Sequence, residues 1–596
     1  MQDRSEIFRR IKQQYFREQL APLGFQPMDG MILYLLWGRN CLRQEDIAAQ
    51  TALDKGAVAR SVARLEERGL VERWVSDQCR RESRSPLPRL GRSALGPSRR
   101  SWRAGTTSAA GGSPPRNGHC ITAFCPGSSK MSCNTKEERK GTMVKNLTEG
   151  KPLNLLFFFA LPMVAGNLFQ QLYNMVDTAV VGKFVGEDAV AAVGSSFPIV
   201  FLSVAVASGL SMGCNVVVSQ LFGARRIHEM KTTISTAIIS LSVLGLIIMA
   251  LGTVFAGPLL QLLGTDPDIM DDSRLYLRIY FGGAVFLFLY NTLNGIYNAQ
   301  GDSKTPLIFL MISSLTNIVL DLLFVIQFNM GVAGVAWATL IAQGMCAIAS
   351  LVVMFQRMKK LPCEPERANM KIPLFHMTAV KRIAQIGLPS MLQQSLVSLS
   401  MMMMQGLVNS FGKVLVAGYT AATKIDTLAM LPNMNFSNAM SSYTAQNIGA
   451  GKYDRVKEGL KACLFMVVVF SLVITVIIFL FGSQLLSLFL DPGDTSGAMG
   501  YGLAYMRTVS VFYILMGVLF VPNGMLRGAG DMGAFTLSSM ANLFSRVAIA
   551  YALVYLTPFG ANAIWWSIPA GWAVGAAVSL LRVKSGKWMR TAVADR

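Results

Sequence analysis

The chain has 596 residues, of which 52% are apolar and only 15% charged, with a formal net charge of +21. This balance excludes an ordinary soluble enzyme and a disordered scaffold and points to an all-α polytopic membrane protein. Residues 80–142 hold thirteen Lys and Arg against three Glu, so ten of the 21 charges come from one short stretch and describe no footprint of the whole chain on nucleic acid or lipid.

Residues 1–78 form a soluble head that reads as helices. Asp54 is placed to cap a helix to about Gly69, with Val58, Val62 and Leu65 as its buried stripe and Lys55, Arg60, Ser61 and Arg64 facing out. A short helix from Gln44 to Thr51 precedes it. Together they make a helix-turn-helix in which Lys55, Arg60 and Arg64 are the DNA-contact candidates. The run QEDIAAQTALDKGAVARSVARLEERGLVERWVSDQCRRESR resembles the winged-helix core of the MarR family, over about 40 residues. Cys79 then stands where that family usually has an acidic residue before the wing arginine, and no long dimerisation helix follows.

Residues 79–142 are rich in Pro, Gly, Ser and Arg, without apolar periodicity, and read as a disordered basic linker. A second reading is out-of-frame sequence joining a regulator-like frame to a transporter frame, since MVKNLTEGKPLNLLFFFALP from Met143 looks like a natural transporter start. Cys120, Cys125 and Cys133 beside His119 form no closely spaced ligand pairs, so no structural zinc is expected.

From Leu155 onward, twelve apolar runs of membrane-crossing length follow, six in residues 143–360 and six in 361–596, the first near 155–180 and the last near 561–582. No cleavable signal peptide is expected ahead of them. The second six repeat the first. Leu161-Pro162 recurs as Leu388-Pro389, Gln220 with Gly223-Ala224 as Gln446 with Gly449-Ala450, and Asn294-Gly295 with Gly301-Asp302 as Asn523-Gly524 with Gly530-Asp531, at offsets of 226 to 229. Six spans is an even number, so the two copies run parallel.

Loop charge sets the orientation. One side carries Arg225, Arg226, Lys231, Arg357, Lys359, Lys360, Arg367, Lys371, Lys452, Arg455, Lys457, Lys461, Arg582, Lys584, Lys587 and Arg590. The other carries Glu187, Asp188, Asp266, Asp268, Asp271, Asp272, Asp491 and Asp494. Both termini are therefore expected in the cytoplasm of a multi-pass inner-membrane protein.

Buried charge is expensive in a bilayer and marks function. In the first span Asn167, Gln170, Asn174 and Asp177 fall on one helical face, and Pro162 upstream is a candidate hinge. In the fifth, Asn317 and Asp321 lie one turn apart, with Thr339 of the sixth as a further oxygen. A carboxylate beside an amide oxygen offers hard ligands for sodium, whereas a desolvated carboxyl can instead carry a proton. The repeat offsets put Met404 and Ala550 where the first copy has Asp177 and Asp321. Asp426 in the eighth span has Lys424, Arg507 and Arg546 as charged company in the second copy. No G-x-x-x-x-G-K-[ST] loop is present, GAGKY at 449–453 lacking the spacing, and no catalytic constellation forms, so neither an ATP-driven pump nor an enzyme is indicated.

The segments LPMVAGNLFQQLYNMVDTAVVGKFVGEDAVAAVG, GLSMGCNVVVSQLFGAR, NGIYNAQGDSKTP and TNIVLDLLFV, with their weaker second copies, resemble the multidrug and toxic compound extrusion (MATE) family across residues 143 to about 590. The resemblance implies two six-helix lobes about a central cavity. It implies alternating access and export of small cationic drugs or dyes by a monomeric antiporter with no cofactor, driven by Na+ or H+. By motif, Pro162, Asp177, Asn317 and Asp321 match the family's cation site, with Thr339 added by spacing. Gln170, Asn174, Met404, Gln405 and Asp426 are the substrate-cavity candidates, and Met401 to Met403 and Phe157 to Phe159 offer further apolar contacts. Two rival readings are a flippase for lipid-linked sugars, favoured by a basic cavity, and a membrane-tethered DNA-binding regulator, favoured by a complete wing.

Overall fold

The computed structural model describes residues 146–361, 370–490 and 497–590. In the head it describes residues 54–67, 71–74 and 120–123, with positions 26, 29, 32, 42–43 and 47–48. The chain divides into two compact units, Met1–Gly141 and Thr142–Arg596.

In the first unit the recognition-type helix α1 spans Lys55–Glu67. Asp54 caps it, its Oδ1 accepting from Ala57 N–H at 2.9 Å, and Val58, Val62 and Leu65 are fully buried as their spacing predicts. Two expected outward residues turn inward. Ser61 is buried, and Arg64 donates to Asp29 Oδ1 at 2.9 Å and to Ser61 Oγ at 2.8 Å. A helical wheel drawn for one partner face misses the second face that Asp29 covers. Arg60 remains exposed, and the side chain of Lys55 lies outside the described residues.

The strands β1 (Leu42–Arg43), β2 (Val71–Trp74) and β3 (Cys120–Ala123) form a sheet in the order β1-β3-β2, both pairings antiparallel. The central strand therefore comes from the stretch read as a linker. Ile121 and Thr122 give it the β-branched side chains that favour a pleated sheet. The rest of 79–142, including Cys79, lies outside the described residues, as does most of the Gln44 to Thr51 helix, of which Ile47 and Ala48 are helical and buried.

The second unit begins with α2 (Pro152–Phe184), α3 (Glu187–Gly223) and α4 (Ile227–Leu262), then α5 (Met270–Gly282) and α6 (Ala284–Ala299), α7 (Lys304–Leu322) and α8 (Gly331–Lys360). The second lobe repeats this order as α9 (Met377–Asn409), α10 (Lys413–Gly449), α11 (Tyr453–Leu486), α12 (Ala498–Ser510) with α13 (Tyr513–Ala529), α14 (Met532–Leu556) and α15 (Asn562–Lys584). Among the described residues, nine helices are long and apolar enough to cross a membrane singly, and two bent pairs bring the number to 11. The twelfth span is α9, 33 residues long, whose Lys381, Arg382 and several glutamines lower its hydropathy.

The fourth and tenth spans are broken by 49° between α5 and α6 and by 52° between α12 and α13. Hydropathy counts side chains and is blind to such bends. The same break at the same place in each lobe is the duplication made visible.

The duplicated motifs meet one another. At the ends of α3 and α10, Gly223 faces the backbone oxygen of Gln446 and Gly449 faces that of Gln220, each so close that an added Cβ would stand 2.0 Å from the oxygen. Gln220 Nε2 donates to Gly528 O at 3.1 Å and Gln446 Nε2 to Ala299 O at 2.7 Å. The lead-in to α2 is strapped across the same end. Leu147 N–H donates to Gln446 Oε1 at 3.0 Å, and Lys452 Nζ and Arg455 Nη2 donate to the carbonyls of Thr148 and Gly150 at 3.0 Å and 2.9 Å. The two lobes are thus closed on each other at the end rich in Lys and Arg. Within each lobe, the repeated Gly-Asp motif anchors an arginine, Arg357 to Asp302 at 2.7 Å and Arg582 to Asp531 at 2.6 Å.

Candidate functional site

Three helices of the first lobe bring oxygen-bearing side chains together. α2 supplies Asp177 and, one turn earlier, Tyr173; α7 supplies Asn317 and Asp321; α8 supplies Thr339. Asn317 is the hub. With its amide oriented to satisfy both ends, it donates to Asp321 Oδ2 at 3.0 Å and to the Tyr173 hydroxyl at 2.9 Å, and accepts from the Thr339 backbone N–H at 3.0 Å.

The Asp177 and Asp321 carboxyls face each other within hydrogen-bonding reach. Asp321 is fully buried, and Oδ1 of each carboxyl is buried without a donor among the described residues. An ionised pair so placed repels and strands two acceptors, a cost that a proton or a small cation between them removes. Val181, Val325, Val335, Ala336 and Tyr276 pack together in a buried apolar cluster of the same lobe. Immediately after Asp321 and Leu322, the helix α7 loosens into a π turn over Leu323–Gln327, a local irregularity that often accompanies functional sites.

The predicted residues divide. Asp177, Asn317, Asp321 and Thr339 come together, and Pro162 lies inside the continuous helix α2. Asn167 instead crosses to the second lobe, its Nδ2 donating to Asn435 Oδ1 at 3.1 Å. Asn174 is exposed and bonds Gln171 at 3.3 Å. Gln170 is half-buried, as is Gln405, which donates to Asn409 Oδ1 at 2.9 Å. Tyr173 escaped the sequence reading, which followed amides and carboxylates; its position four residues before Asp177 was the available signal.

Two cavity candidates are corrected. Met404 is fully buried in the core of the second lobe with Ala550, so the places of the two aspartates there are filled by packed apolar atoms. Asp426 is also buried within that lobe, where Oδ2 accepts from the Tyr505 hydroxyl at 2.9 Å and Oδ1 from that of Tyr513. Tyr419, Tyr505 and Trp565 pack ring on ring beside it, with centroids 5.2 to 5.8 Å apart. Arg546, at the repeat position of Asn317, lies in electrostatic range of Asp426. A span-by-span reading treats every intramembrane charge as facing a path, whereas this one is satisfied by tyrosines from another helix.

The MatE family model matches residues 162–323 and 389–552, one match in each lobe, and the MarR family model matches residues 27–83. The chain is 31% identical over 443 residues to the probable multidrug resistance protein YpnP of Bacillus subtilis, covering 74% of this chain and 97% of that one. It is 24% identical over 451 residues to the probable multidrug resistance protein NorM of Thermotoga maritima, covering 74% and 94%. Among solved structures, the outward-facing conformation of a multidrug resistance MATE family transporter of the MOP superfamily superposes with a TM-score of 0.69 at 25% identity, over 76% of this chain and 99% of the other. Two matched six-helix lobes, relatives covered almost end to end and the shared architecture lead to one conclusion: the chain belongs to the MatE family of multidrug efflux transporters, preceded by a MarR-family segment.

Proposed function

We propose that the protein is a secondary active antiporter that exports cationic amphiphilic compounds by alternating access, in exchange for Na+ or H+ bound between Asp177 and Asp321. The observation that carries this reading is the pair of neighbouring carboxyls inside one lobe, each with a buried oxygen that no donor meets among the described residues, where the second lobe has the buried Met404 and Ala550. Entry of the cation neutralises the pair. α2 is then free to shift about Pro162, which breaks its backbone ladder, and carries Gln170 and Asn174 with it; with Gln405 of α9, these are the polar substrate contacts proposed.

The basic loops put both termini of this inner-membrane protein in the cytoplasm, and the strapped end is then the intracellular gate, closed in the described state. A monomer contains both lobes and the whole site. Among the described side chains of the head, Arg60 is the exposed candidate for a phosphate contact, Arg64 being committed to Asp29.

The test is ethidium efflux from cells lacking their own pumps, comparing the chain with Asp177→Asn and Asp321→Asn at equal membrane abundance. Efflux abolished by either substitution is expected, with Na+ and pH dependence then naming the ion. Undiminished efflux by both variants sinks the site.

A further inference from the structure

Between the first turns of α11 and the last turn of α15, beneath the end of α13, lies a cavity of about 420 Å³. Leu460, Met525 and the indole of Trp588 give it an apolar floor. Lys457, Lys461 and Lys584 stand at its rim, and no carboxylate lines it. All three lysines are exposed. Lys457 and Lys461 are one turn apart on one face of α11, in its second and third turns.

The neighbouring charges leave that rim positive. Lys457 bonds Asp454 at 3.1 Å, but that carboxylate is 93% exposed, a surface pair that yields easily to a competing anion. Arg582, next along α15, is committed to Asp531, Glu458 is exposed on α11, and Lys587 adds a further positive charge on the turn beyond α15. Trp588 is only 1% exposed, its Nε1 donating to Val583 O at 3.2 Å, so the floor is held in place.

Orientation by positive charge accounts for lysines at this end of the bundle but not for an apolar hollow beneath them. Lys461 directly precedes the apolar run of α11 and Lys584 closes that of α15, so the hollow sits where hydrocarbon gives way to headgroups. We infer that it binds an anionic phospholipid of the leaflet it faces, the phosphate between the three lysines and the glycerol and upper acyl chain on the apolar floor. Each lysine contributes roughly fivefold in affinity and the three together on the order of a hundredfold over a zwitterionic lipid at low salt.

The purified full chain in detergent is titrated with phosphatidylglycerol or phosphatidylcholine, with bound lipid counted by native mass spectrometry. Phosphatidylglycerol is expected to be held at least tenfold more tightly. The exposed triple variant Lys457→Gln/Lys461→Gln/Lys584→Gln is expected to melt as the parent does and to lose the preference, whereas Lys359→Gln/Lys360→Gln, at the end of α8, keeps it. Equal retention of the two lipids, displacement by millimolar inorganic phosphate alone, or equal loss in the α8 control overturns the assignment. The readout does not involve transport, so its failure leaves the coupling site untouched.

Discussion

Alanine at Gly223 tests whether the closed, Lys- and Arg-rich end is a working gate. Its Cβ would stand 2.0 Å from Gln446 O, and Gly449→Ala would place a Cβ 2.0 Å from Gln220 O, against an ordinary contact of about 3.4 Å. Both atoms met are backbone, so no side chain can swing away and the ends of α3 and α10 must part by more than an ångström. Overpacking of this kind costs about 1 to 3 kcal/mol, only partly offset by the gain of up to about 1 kcal/mol when alanine replaces glycine in a helix. The cost falls on the closed state alone, because the two glycines separate when the lobes do. A bias of about 2 kcal/mol shifts the open-to-closed ratio roughly thirtyfold. Spin labels at Arg225 and Asp454, exposed positions flanking the two glycines, are expected to report longer distances in either variant, with ethidium efflux falling in parallel. Gly194→Ala, whose Cβ meets nothing within 4 Å, serves as the neutral control. Unchanged distances and efflux in both Gly223→Ala and Gly449→Ala would refute the gate.

The lead-in strap makes a related prediction by truncation: removing residues 1–142 leaves efflux at the level of the full chain, whereas removing 1–150, and with it the bonds to Gln446, Lys452 and Arg455, lowers it at equal abundance. Tyr173→Phe deletes the hydroxyl that Asn317 meets at 2.9 Å, a loss of about 1 kcal/mol, so the coupling-ion concentration for half-maximal efflux is expected to rise several-fold with expression unchanged. Asp302→Asn breaks a pair whose carboxylate is 2% exposed and also loses charge from a cap that accepts from Lys304 and Thr305 N–H at 3.1 Å. A cost of about 3 to 5 kcal/mol follows, read as a fall in melting temperature in detergent. Asp531→Asn, whose side chain caps no helix and whose arginine is 30% exposed, is expected to cost less.

Most members of the proposed coupling site can be read along the chain because each announces itself locally. Asn317 and Asp321 are one helical turn apart, and a carboxylate in an apolar run is costly enough to betray itself. The twelve spans and their duplication follow from hydropathy and from motifs recurring at one offset, which need no knowledge of packing. Tertiary structure alone decided what those residues touch. Asp426 is as conspicuous in sequence as Asp177, yet hydroxyls from Tyr505 and Tyr513 on a different span satisfy it. Met404 lies in an eye-catching methionine run, and only the helix's rotation against its neighbours turns it to the core while leaving Met401 to Met403 exposed. The recruitment of Cys120–Ala123 into the head's sheet depends on a partner far away in sequence. Periodicity and the price of burying charge are written residue by residue, whereas the identity of the group that meets a side chain exists only once distant helices pack.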